Sequence, residues 1–209
     1  MIKAWHFTNG TLRDGEPVPP AGEWLRHGGE IIPCSSGLHA SRRLIDALRY
    51  APGGTLHRVS MRGEIIEHNG DKIVARQRRI EWSLSAEVME PILRQFARWC
   101  ALRVIHLWDA PEIVRRYLET GDELIRAAAW VAAGDAARAA ARAAAWAAAW
   151  AAAGDAAGDA ARAAAGDAAW DAQEKELLRL VRAARREINE RETLLPLQRA
   201  GGNRGGNDG

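Results

Sequence analysis

Hydrophobic and polar positions change period twice along this chain of 209 residues. Near the start, "IKAWHF" (2–7) alternates as a strand does, and the Gly- and Pro-rich "TLRDGEPVPPAGEW" (11–24) reads as a loop. In "SRRLIDALRYA" (41–51), Leu44, Ile45, Leu48 and Ala51 fall at helical spacing, with Ser41 as the N-cap and "APGG" as the stop. "TLHRVSMRGEIIEH" and "KIVARQRRIEWSL" alternate on either side of "NGD", the pattern of a hairpin.

A helical period then takes over. Ile92, Leu93, Phe96, Cys100, Val104, Leu107 and Trp108 recur at three and four, which predicts an amphipathic helix with Pro91 in its first turn. "DAPEIVRRYLETGD" predicts a second helix, capped by Asp109 with Glu112 three residues on, and closed at Thr120-Gly121. From Arg126 to Trp170 every fourth residue is Arg, Trp or Gly, set in a background of Ala and Asp with Val131 the one exception. Such a repeat advances about 40° around a helix each time, so one straight rod has no single Trp face. Two or three shorter helices packed face to face fit better, with a break at "GDAAGD" (154–159), where Gly154 ends one helix and Asp155 or Asp159 caps the next. "EKELLRLVRAARREINERETLLPL" is a charged amphipathic helix with Leu177, Leu178, Leu180, Val181 and Ile188 inward.

The fold class that follows is an α+β N-terminal domain over residues 1–85, a small antiparallel sheet with one or two helices. An all-α, Ala-rich helical array occupies 86–198, and 199–209 form a flexible tail.

Composition narrows the function classes. A net charge of +2 carries no strong field toward nucleic acid or membranes. Arg138, Arg142 and Arg162 are offset by nearby Asp. The local cluster "ARQRR" (75–79) puts Arg76 and Arg78 on one face of a strand and Arg79 on the other, a phosphate-contact surface without interleaved aromatics. Nucleic acid is therefore not the expected partner. Cys34 and Cys100 give no disulfide framework and suit a reducing cytoplasm; no apolar leader opens "MIKAWHFTNG". Cys34, His39, His57 and His6 lack the paired short spacing of a zinc motif, so no metal is expected. Neither a P-loop nor a nucleophile elbow is present in the sequence.

Three stretches carry a resemblance: "AWHFTN" (4–9), "SGLHASRRLIDALRYA" (36–51) and "LHRVSMRGEI" (56–65). Their order and spacing resemble the ADP-ribosyltransferase fold of the poly(ADP-ribose) polymerase type. The resemblance implies an NAD-binding cleft in which His6 holds a ribose hydroxyl, the Gly37–His39 turn lines the nicotinamide side, and Tyr50 is the helix Tyr. His39 stands where that family has an aromatic Tyr, and an imidazole there is titratable near neutral pH. The family's catalytic acid lies on a later strand, which makes Glu81 in "RRIEWSL" the candidate here. The chain also resembles a phage- and prophage-associated domain of unknown function followed by Ala/Arg/Trp/Asp repeats. Gly37-Leu38-His39, Gly63-Glu64-Ile65 and Gly70-Asp71-Lys72 carry that likeness, which implies no established activity.

Two functions remain open on the sequence. In one, the N-terminal domain binds NAD or an ADP-ribose-type nucleotide, with or without transfer. In the other, the protein is a non-catalytic interaction module whose Ala/Trp helices meet a partner or a second copy.

Overall fold

A computed structural model describes residues 1–136 and 156–201, with side-chain environments over 1–136 and 166–193. The architecture is α+β: a small antiparallel sheet with short helices comes first, and the described residues after it are mainly helical. Spatially the described chain forms two compact units. One holds Met1–Ile92 together with the chain from Glu174 on, and the other is Leu93–Gln173.

In the first unit, strand β1 (Ile2–Thr8) pairs with β4 (Thr55–His68), and β4 pairs with β5 (Lys72–Leu84), all antiparallel. The β4–β5 turn is the three residues 69–71 between the paired His68 and Lys72, and Asn69 and Gly70, which tolerate the left-handed region, both take positive φ there, 53° and 73°. The far edge of β5 is shared by two three-residue strands, β2 (Trp24–Arg26) and β3 (Leu38–Ala40). The outer edge of β1 is also occupied. Trp5 N–H donates to Ser41 O at 2.8 Å and Ser41 N–H returns to Trp5 O at 2.9 Å. Ser41 directly follows β3, so the sheet curls until β1 and β3 are neighbours.

Cross-strand partners share a face, and alternate residues change face. Ala4, Val59, Met61 and Ile80 therefore stand together, and with Ala40, Ile73 and Ala75 they form a buried cluster. Burying each larger member is worth about 1.5–3 kcal/mol. Lys3, Trp5, Arg58, Ser60 and Trp82 occupy the other face, where the Trp5 and Trp82 rings meet edge-on at 5.7 Å.

Helix α1 (Leu44–Arg49) starts later than its sequence pattern suggests. Ser41 is taken by the bridge to Trp5, and the N-cap is Arg43, which makes no side-chain cap bond. The last helix, which we number α5 (Ala156–Gly201), supplies the missing acceptor: the Glu174 carboxylate takes the N–H groups of Leu44 and Ile45. Leu177, Leu180 and Val181 of α5 are buried, at the i, i+3, i+4 spacing of an apolar stripe; Leu178 and Ile188 are half-buried. Asp159 lies inside this helix, past its first residue, and so is not at the N-cap position. Gly154, Asp155 and the Trp146 and Trp150 repeats lie outside the described residues.

Helix α2 (Ala86–Val104) begins five residues before Pro91, so Pro91 is interior to it. In its later part Phe96 is buried, but Val104 and Leu107 are exposed, because the helix gives way to a 3-10 turn at Ile105–Leu107. The apolar stripe thus ends earlier than its sequence period suggests. Helix α3 (Glu112–Thr120) has Pro111 at its N-cap, with Asp109 outside; a proline ring pre-sets the backbone for helix entry. Gly121 closes it at φ 69°, its N–H donating to Tyr117 O. Helix α4 covers 126–136. No helix among the described residues is long and apolar enough to cross a membrane.

Candidate functional site

The curl of the sheet leaves a cavity of 930 Å³ within the first unit, between β1, β3, the loops after β1 and β2, and the end of α1. His6, Gly37, His39 and Tyr50 all line it, although they come from three separate stretches of the sequence. Its volume falls within the range of small-molecule sites.

His39 is held by its own loop. Its Nε2 accepts the Cys34 N–H at 3.0 Å and its Nδ1–H donates to Gly37 O at 3.0 Å. Those two bonds fix one neutral tautomer, and burial pushes the imidazole below its ordinary range, with Arg13, Arg78 and Lys72 adding to the effect. Both ring nitrogens are thereby used, so His39 offers a ligand its ring face. The loop needs Gly37 for space: φ is 105°, and a Cβ there would sit 2.6 Å from Val74 Cγ2.

His6, on β1, is half-buried. Burial and then the Arg78 cation hold its pKa well below the usual histidine value. Its ring stacks on that of His57, its cross-strand partner, with centroids 6.2 Å apart. His57 is buried in a chain of hydroxyls, Nε2 to Thr8 Oγ1 at 2.8 Å and Nδ1 to Ser83 Oγ at 2.7 Å, and burial lowers its pKa to about 4. Two neutral imidazoles therefore stand side by side beneath the cavity.

Tyr50 stands at the rim, 42% exposed. Its hydroxyl donates to Asp71 Oδ2 at 2.5 Å, which raises its pKa, and the Lys72 ammonium lies 3.6 Å from its ring centre. Lys72 also donates to Cys34 Sγ at 3.6 Å.

Glu81 is not part of this group. It does not line the cavity; it accepts from Ser60 Oγ at 2.6 Å and pairs with Lys3. Ser60 and Lys3 are on the sheet face opposite to His6, and Glu81 is turned to their side.

Arg78 is the residue that pattern reading underrated. It is 5% exposed, lines the cavity and donates Nη1–H to His39 O at 2.7 Å. Burial lowers its pKa to about 10, which leaves it charged at neutral pH. The signal was present in the alternation: Arg78 is two residues from Ile80 and so shares the core face. Arg76, by contrast, is at the surface, donating to Glu64 and to Gly29 O. Among the described residues, no group of three His, Cys, Asp or Glu is arranged to hold a metal ion.

The cavity-lining residues run from Trp5 to Arg78. A domain of unknown function, DUF7666, covers residues 2–91. The residues that line the candidate site therefore lie inside the DUF7666 span. No curated protein and no solved structure matches the chain.

Proposed function

We propose that the cavity of the DUF7666 span binds a nucleotide of the NAD or ADP-ribose type, as a binding site and without transferring the ADP-ribose group. The observation that carries this reading is the convergence of His6, Gly37, His39 and Tyr50 on one cavity of 930 Å³. Neutral His6 has a ring nitrogen suited to a ribose hydroxyl, as donor or acceptor. The His39 ring face and the Tyr50 ring suit a flat heteroaromatic ligand. The acid that a transferase of the resembled type uses would be Glu81, and its place across the sheet favours binding over transfer.

Calorimetric titration of NAD and ADP-ribose into the full chain tests the proposal, with His6→Ala and His39→Ala alongside. Saturable heat that weakens in both variants is expected. No heat with either ligand at millimolar concentration overturns it.

A second reading, the interaction module, is favoured by one observation. Leu124 is 94% exposed, and Trp130 and its chain neighbour Val131 are 81% and 61% exposed, large apolar side chains open to solvent on the helical unit. Sedimentation velocity across a concentration series, wild type against Trp130→Ala, tests it. A concentration-dependent mass in the wild type alone is its expected result.

A further inference from the structure

We infer that Arg78 is the anion receptor of this cavity, and that the ligand it admits carries a phosphate or pyrophosphate group seated against the guanidinium. The inference rests on the nucleotide reading for the rest of the ligand, and on the following geometry for the anion.

A guanidinium carries five N–H donors. Arg78 spends one of them on the protein, Nη1 to His39 O at 2.7 Å. Among the described residues no carboxylate comes within ion-pair distance of it, although it is 95% removed from solvent by its 5% exposure. A buried charge of this kind is costly unless a counter-charge meets it. Its neighbours on the sheet do not supply one. Val59, Met61 and Ile80 are apolar, and the two imidazoles facing it, His6 and His57, stay neutral.

The cavity is where the remaining donors find space, and its lining repeats the same sign. Arg13 and Lys72 join Arg78 there, against one carboxylate, Asp14. Asp14 is exposed and accepts the Glu16 N–H at 3.2 Å within its own turn. Three cations, one of them buried, around a cavity of nucleotide size favour an anionic ligand. The planar fork of arginine matches two oxygens of a phosphate. A purely structural role, bracing the His39 carbonyl, would employ one donor and leave the charge uncompensated.

The test titrates full-length protein with pyrophosphate, ADP-ribose and adenosine, the last as a probe without phosphate. Arg78→Met keeps the volume and removes the charge, and Arg78→Lys keeps the charge and removes the fork. We expect pyrophosphate and ADP-ribose to compete for one site. Arg78→Met should weaken both by roughly tenfold or more and leave adenosine unchanged, with Arg78→Lys between. ADP-ribose binding that survives in folded Arg78→Met overturns the Arg78 inference and leaves the nucleotide reading standing. Arg78-dependent pyrophosphate binding with no gain from the nucleoside part does the reverse. No binding of any probe overturns both. Should Arg78→Met not fold, wild-type protein decides: pyrophosphate that raises Tm and displaces ADP-ribose supports the inference, and pyrophosphate without effect at millimolar concentration sinks it.

Discussion

The carboxylate of Glu174 accepts the backbone N–H of Ile45 at 2.7 Å, a bond across 129 positions of chain. Its other oxygen takes the Leu44 N–H at 3.0 Å, so one side chain of the last helix satisfies two unpaired donors at the start of α1. Helix α1 positions Ala47 and, just beyond its end, Tyr50 at the cavity. We predict that Glu174→Ala destabilises the protein by about 1–2 kcal/mol, the worth of a charged cap. Glu174→Gln should recover part of that loss. Chemical denaturation read by tryptophan fluorescence measures both.

The long elements were legible because local signals agreed. The β4–β5 hairpin has period-two alternation on both arms and an Asn-Gly turn that needs no tertiary help. Strands β2 and β3 were not legible, since three residues cannot show a period and both exist through pairing with β5. The start of α1 was misplaced for a similar reason: Ser41 has good cap chemistry, but the sheet edge claims its backbone. At the site, the sequence brought His6, Gly37, His39 and Tyr50 into one hypothesis through a resemblance of short motifs. Glu81 is different. It follows Ile80, so alternation sets the two on opposite faces, and only the tertiary curl decides which face holds the cavity. A bulge at that point also turns Trp82 toward Trp5, away from the face of Ile80.

That placement of Glu81 has a consequence. Glu81→Gln should leave the affinity for ADP-ribose within about twofold of wild type, because the substituted group sits across the sheet from the ligand. It should lower stability modestly, by about 1 kcal/mol or less, through loss of the exposed pair with Lys3. A large loss of ADP-ribose affinity in this variant would mean that Glu81 reaches the ligand, contrary to the sheet geometry.

Gly37 tests the loop. Its φ of 105° is hostile to any L side chain, and an added Cβ would meet Ile31 Cγ2 at 3.0 Å besides Val74. The Gly37 carbonyl also accepts the Nδ1–H of His39, so any shift moves the ring. Gly37→Ala is expected to cost about 2–4 kcal/mol, combining strain with crowding. Thermal melting gives the loss. Ligand titration on the folded fraction should show weaker binding, where a merely destabilised but undistorted loop would keep wild-type affinity.

The buried imidazoles make stability depend on pH, with a definite sign. His57 is lowered to about 4 and His6 well below its ordinary value, mainly by burial and then by Arg78, whereas the unfolded chain protonates its histidines near pH 6.5. Between about pH 6.5 and about pH 4 the unfolded state binds protons that the native state refuses, so stability rises with pH across that window. It is lost as pH falls, and these two groups add no slope above about pH 6.5. Each contributes at most about 1.4 kcal/mol per pH unit. Replacing His57 by Gln keeps a hydrogen-bonding side chain between Thr8 and Ser83 and removes one titrating group. Urea unfolding of both proteins from about pH 4 to about pH 7.5 should give a shallower acid limb for His57→Gln. Parallel curves would show that His57 takes up its proton in the folded state as readily as in the unfolded one. The buried, neutral pair beside Arg78 would then be the wrong description of the cavity floor.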